Sequence, residues 1–218
     1  MKLSNSMRSG NRLLIACAAI LAAVVALPKA ASAAPIIVPP VPNAVKVDPP
    51  NEVFLVGHAV GTQNYVCLPS GSGVAFVLFT PEATLFNDDG DKALITHFFS
   101  PNPDEKNTNP ALTAIGPIRA TWQSSKDSST VWAAASGSST DAPFVAPNSV
   151  PWVRLTAVGW GFGPDGGDLL SHVTFVQRLN TLGGVAPSTG CASTADIGHL
   201  AFVPYTADYF FYTSPDAP

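Results

Sequence analysis

Charge is scarce in this sequence, and its scarcity narrows the field first. Only 12% of the 218 residues are Asp, Glu, Lys or Arg, while 46% are apolar. That excludes the polar, charge-rich composition of a disordered chain and places the sequence among globular ones. Basic residues are the scarcer sign, and four of them (Lys2, Arg8, Arg12 and Lys29) precede Ala33. Past Ala33, seven basic residues face fifteen acidic ones, a net charge of −8. A chain this acidic lacks the electrostatic footprint for nucleic acid or an anionic lipid surface. Histidines are four and isolated: His58, His97, His172 and His199 form no His-x-His and no His-Glu-x-x-His, so no metal site is expected. A Gly-x-Ser-x-Gly elbow is missing, which excludes the ordinary α/β-hydrolase arrangement. Gly161-Phe162-Gly163-Pro164-Asp165-Gly166 fits a dinucleotide string by its letters alone. No long helical pattern follows it to receive a pyrophosphate, and no cofactor is expected.

What is present begins with an address. Lys2, Arg8 and Arg12 precede an uncharged apolar run from Leu13 to Leu27, and Ala31-Ser32-Ala33 supplies small residues for cleavage. Residues 1–33 read as a secretory signal peptide, too short and wrongly flanked for a stable membrane span. The expected mature chain of 185 residues, 218 less the leader, works outside the cytoplasm, secreted or periplasmic. Leu14-Ile15-Ala16-Cys17 imitates a lipoprotein box but sits at the start of the apolar run, where cleavage would leave an apolar N-terminus. With Cys17 inside the leader, Cys67 and Cys191 remain, and an oxidising compartment favours one disulfide between them over two free thiols.

Residues 34–50 carry Pro35, Pro39, Pro40, Pro42, Pro49 and Pro50. Proline removes amide donors and fixes φ, so this stretch reads as an extended arm and not a packed element, leading away from the domain or lying along its surface. Residues 51–218 read as one all-β domain. Short runs rich in β-branched and aromatic residues recur between turn-forming clusters: Val53–Val56, Tyr65–Cys67, Val74–Phe79, Leu85–Phe86, Ala93–Ile95, Arg119–Gln123, Thr130–Ala134, Trp152–Val158, His172–Arg178 and Leu200–Tyr212. They predict a single sandwich or a jelly-roll or Greek-key-like barrel of roughly eight to ten strands, with long loops over Ser100–Pro117 and Ser136–Pro151. Asn87-Asp88-Asp89-Gly90-Asp91 reads as a solvated hairpin turn, since it lacks the ligand spacing of a calcium loop.

Several blocks carry a family resemblance. They are Gly61–Cys67, Pro81–Phe86, Val150–Leu155, Val173–Pro187 with Gly190-Cys191, and Val203–Tyr212. In this order they resemble the secreted bacterial and fungal family catalogued as domain of unknown function 3455, over roughly residues 43 to 212. The resemblance implies a class and no reaction. The family pattern has a Gly-x-His-Tyr block, a Trp and an Asp-Gly-Ser turn. Here His97-Phe98-Phe99, Trp122 and Asp127-Ser128-Ser129 stand in those places, with Ser128 for the turn glycine and an apparent insertion over 102–118.

The candidate site is therefore His97, Trp122 and Asp127, joined by Gln177 and Arg178 from the Val173–Pro187 block. In a strand Gln177 and Arg178 point to opposite faces, and a buried guanidinium needs a carboxylate or several carbonyls. Arg178 either staples the C-terminal loop or binds a ligand. The aromatic residues suggest stacking on sugar, with carbohydrate or a cell-surface component as partner; the competing reading puts the rings in the core. Two functions follow. One is a non-catalytic extracytoplasmic binding or surface-interaction module. The other is an extracellular enzyme, a hydrolase in class, in which His97, Asp127 and Gln177 or Arg178 converge.

Overall fold

A computed structural model describes residues 35–108 and 116–217. The leader assigned to residues 1–33 lies outside the described residues. The chain forms eight strands: β1 (Glu52–Ser70), β2 (Gly73–Phe86), β3 (Ala93–Pro101), β4 (Ile118–Ser124), β5 (Thr130–Ser139), β6 (Trp152–Gly161), β7 (Phe175–Gly183) and β8 (Leu200–Thr213). Each pairs antiparallel with its sequence neighbours, and β8 returns to β1 from Glu52↔Thr213 to Val66↔Leu200. The sheet is thus one closed up-and-down barrel. The all-β expectation holds, and the sandwich, jelly-roll or Greek-key topology is corrected: no strand skips a neighbour, and closure leaves no edge to protect.

The strands are longer than their apolar runs. Val53–Val56 and Tyr65–Cys67 are two parts of β1, bridged by Gly57-His58-Ala59-Val60-Gly61-Thr62-Gln63-Asn64. This bridge has small or polar inward side chains and still keeps its ladder to β2 and β8. The small residues have a packing reason. An added Cβ at Gly57 would stand 2.9 Å from Cβ of Leu85. Gly57, Ala59 and Ala83 leave the interior to Trp122, Tyr205, Tyr209 and Phe211, all nearly or wholly buried. Leu170 and Val173, from the β6–β7 connection, join the same interior cluster and fill one end of the barrel.

A second cluster lies on the outer surface. Phe210 and Tyr212 alternate with the interior side chains of β8, yet they are 4% and 6% exposed, because Val45 and the proline-rich segment cover them. The segment is extended and follows the surface. It is nevertheless packed: Val45 is fully buried in a short 3-10 turn, Asn43–Val45. Arg154 donates to the Lys46 carbonyl at 2.7 Å, and Gln177 Nε2 donates to the Val45 carbonyl at 2.5 Å. The proline count hid this contact, since proline restricts backbone donors but does not stop valines packing against a sheet.

The β1–β8 seam carries a titrating bridge. His58 places Nδ1 2.6 Å from Asp208 and Nε2 3.0 Å from Asp88, and Asn180 steadies Asp208 at 2.7 Å. Burial alone would lower the His58 pKa, but the hydrogen bonds and charges of Asp88 and Asp208 outweigh it and raise it above 6.5. An imidazolium donates at both nitrogens, so the stabilisation is complete below the unfolded value of 6.5 and is lost as pH rises through the higher folded value. Chemical denaturation across that window should give stability falling with pH, with the slope flattened in His58→Gln. An unchanged slope in the variant would remove His58 from the account.

Candidate functional site

Inward side chains of the barrel leave a cavity of ≈ 380 Å³ opposite the end filled by Leu170. His97 and Trp122 face each other across the β3–β4 pair, in register, and their rings stack at 4.4 Å with 6° between planes. Tyr209 meets both rings, at 5.1 Å from His97 and 5.7 Å from Trp122. Gln63 from β1, Arg119 from β4 and Arg178 from β7 complete the polar part of the lining. The rest is apolar, and Ile118 and Leu78 at the mouth are partly open to solvent.

Three N–H groups on this wall have no hydrogen-bond partner: Gln63 Nε2, Trp122 Nε1 and Arg178 Nε. Gln63 and Trp122 are 1% and 0% exposed, so water does not replace those partners across their surface. Gln63 approaches the Tyr205 hydroxyl closely enough to favour its ionised form, yet its Nε2 completes no bond of ordinary geometry. Buried orphan donors are uncommon and costly, at about 1–3 kcal/mol each. Here they share one cavity.

The electrostatics of the wall are one-sided. Burial first, and then the Arg178 charge, push His97 down to about 3 despite its 2.8 Å bond to the Thr121 carbonyl. That bond takes Nδ1–H as donor and leaves Nε2 as the acceptor of a neutral ring. Burial raises Tyr65, Tyr205 and Tyr209, so none of them supplies a phenolate at neutral pH. Arg178 donates to the Pro151 carbonyl at 3.0 Å, stands within reach of the Tyr209 hydroxyl, and forms no ion pair among the described residues. A second guanidinium at the mouth, Arg119, is neutralised by Glu105 through two bonds of 2.7 Å. Glu105 comes from the apparent insertion, whose described part is anchored by buried Asn102 donating to the Val158 carbonyl at 3.0 Å.

The candidate residues separate into three places. His97, Trp122 and Arg178 line the cavity. Gln177, as alternation requires, faces the outer surface, where it is 1% exposed and joins the arm through Val45 and the Tyr212 hydroxyl. Asp127 lies past the far end of β4 and binds the chain together there. Its carboxylate accepts from Ser129 N at 3.1 Å, Ser129 Oγ at 2.7 Å and Leu169 N at 3.0 Å. These bonds outweigh burial and hold its carboxyl below the usual carboxylate range. The neighbouring Ser128 adopts φ 61°, in the left-handed region that favours glycine.

Gln63 and Tyr209 also line the cavity and are not among the candidates that the sequence singles out, and Tyr205 meets the Tyr209 hydroxyl at 3.2 Å. Gln63 had a usable signal, a long polar side chain at an inward position of a strand. The tyrosines had none beyond alternation. Gly184 supports this corner with φ 81°, and an added Cβ would stand 2.9 Å from Tyr205 Cβ and 3.0 Å from Gln63 Cγ. Its carbonyl accepts from Tyr65 at 2.6 Å. None of the four Trp and four Tyr residues is an exposed ring; the exposed aromatics are Phe79, Phe162 and Phe202. Cys67 and Cys191 form the disulfide, with Cα atoms 5.5 Å apart.

No curated protein and no solved structure matches the chain. A family model described as protein of unknown function (DUF3455) matches residues 49–213, which covers all eight strands and every residue of the cavity wall. The chain belongs to the DUF3455 family.

Proposed function

We propose that the protein is a non-catalytic extracytoplasmic binding protein that holds a small molecule inside its barrel. The observation that carries this reading is that Gln63 and Trp122, each with a buried N–H that has no partner, line one mostly apolar cavity. A ligand acceptor would complete bonds that the protein alone leaves open, and such sites combine an apolar wall with a few placed polar groups. The signal-peptide pattern read from residues 1–33 and the disulfide support the extracytoplasmic placement. Among the described lining residues there is no Ser, Thr, Cys, Asp, Glu or Lys, and His97 is a weak base, which favours holding over turnover.

Thermal denaturation of the oxidised mature protein against small carboxylates, oligosaccharides and divalent metals tests this. A ligand at a hundred times its dissociation constant should add about 2.7 kcal/mol, or about 5–11 °C. Ala120→Phe, on the cavity wall, should abolish that shift while the variant still melts cooperatively. A shift that survives in Ala120→Phe would place the ligand elsewhere and overturn the reading.

A further inference from the structure

We infer that the ligand is a monoanionic carboxylate with an apolar body, and that Arg178 is its counter-ion. This rests on the barrel cavity being a binding site. The cavity wall contains one guanidinium without a carboxylate partner, and Arg178 Nε is buried with no acceptor. A guanidinium is a permanent cation, and in a low-dielectric site it calls for an anion or several carbonyls. Arg178 has one carbonyl, that of Pro151, and the neutral hydroxyl of Tyr209 within reach, neither of which carries a charge. The other cation of the lining, Arg119, is already saturated by Glu105 in a two-bond pair. The wall therefore lacks one negative charge, which a carboxylate supplies and a dianionic phosphate exceeds. Gln63 Nε2 and Trp122 Nε1 offer further donors for its oxygens, and the planar Arg fork matches carboxylate geometry. The apolar remainder of the wall, with Leu155, Val153 and Phe99, receives the body.

The acid is compared with its uncharged isostere. Binding of 1-naphthoate and octanoate, and of 1-naphthamide and octanamide, is followed at neutral pH by calorimetry. Each acid should bind at least tenfold tighter than its amide. Arg178→Gln should erase that preference by weakening the acid and leaving the amide unchanged, and Arg178→Lys should retain part of it. Should Arg178→Gln fail to fold, the acid-against-amide ratio on the native protein decides alone. Equal binding of acid and amide would overturn the counter-ion inference and leave the binding-protein reading standing. A preference that persists in Arg178→Gln would also overturn it. Octyl phosphate binding more tightly than octanoate would overturn the carboxylate assignment. Failure of both acids to bind would overturn the carboxylate inference and leave the binding-protein reading to the thermal panel and Ala120→Phe.

Discussion

Reduction of the Cys67–Cys191 disulfide, or its replacement by Cys67→Ser with Cys191→Ser, should lower the melting temperature by about 10–20 °C. The bond closes a loop with a sequence separation of 124 residues. In the chain-entropy model a loop of that size is worth about 5 kcal/mol, and each kcal/mol moves the midpoint of a domain this large by about 2–4 °C. The bond also has a local task. Cys67 N donates to the His199 carbonyl and Gly198 N donates to the Cys67 carbonyl, both at 2.9 Å, so Cys67 already grips the end of the β7–β8 connection. Cys191 ties the middle of that connection to the same residue. Calorimetry with and without reductant measures the effect. A drop below about 3 °C would mean that the two backbone bonds hold the connection unaided and that the unfolded chain gains little freedom.

The barrel was legible in its parts and illegible in its closure. Alternation identified the strands around Thr130–Ala134 and Leu200–Tyr212 because one face of each is core and the other is not. Whether β8 returns to β1 depends on register and twist over the whole sheet, and no local window carries that information. The same limit applied to the cavity. Trp122 and His97 drew notice through their family blocks, but only the β3–β4 register places them in a stack. Arg178 and Gln177 were correctly set on opposite faces by alternation alone. Which face was interior depended on the arm, because outward Gln177 is as buried as any core residue. Asp127 shows the opposite case: a carboxylate in a family turn whose hydrogen bonds all serve the fold.

The arm offers the second large effect. Val45→Asp should destabilise the protein by about 4 kcal/mol, lowering the melting temperature by about 8–16 °C. Val45 is fully buried among Trp152, Leu179, Phe210 and Tyr212. An aspartate there loses the burial of the valine, worth about 1.5–3 kcal/mol. It also puts a carboxylate against four apolar side chains, with no cation described among them. The chain can escape that second cost by releasing the arm, so the loss is capped by the free energy with which the arm docks. Release has its own signature. It would uncover Phe210 and Tyr212, break the Gln177 and Arg154 bonds to the arm carbonyls, and raise the fluorescence of an apolar dye below the melting transition. Asn43→Asp, two residues away on the exposed side of the same turn, should do neither. If Val45→Asp melts like the native protein and binds no dye, the arm contributes little and the outer cluster is held by the barrel alone. If it binds dye while keeping ligand affinity, the arm protects the outer surface and the cavity is independent of it, as expected for side chains on opposite faces of one sheet.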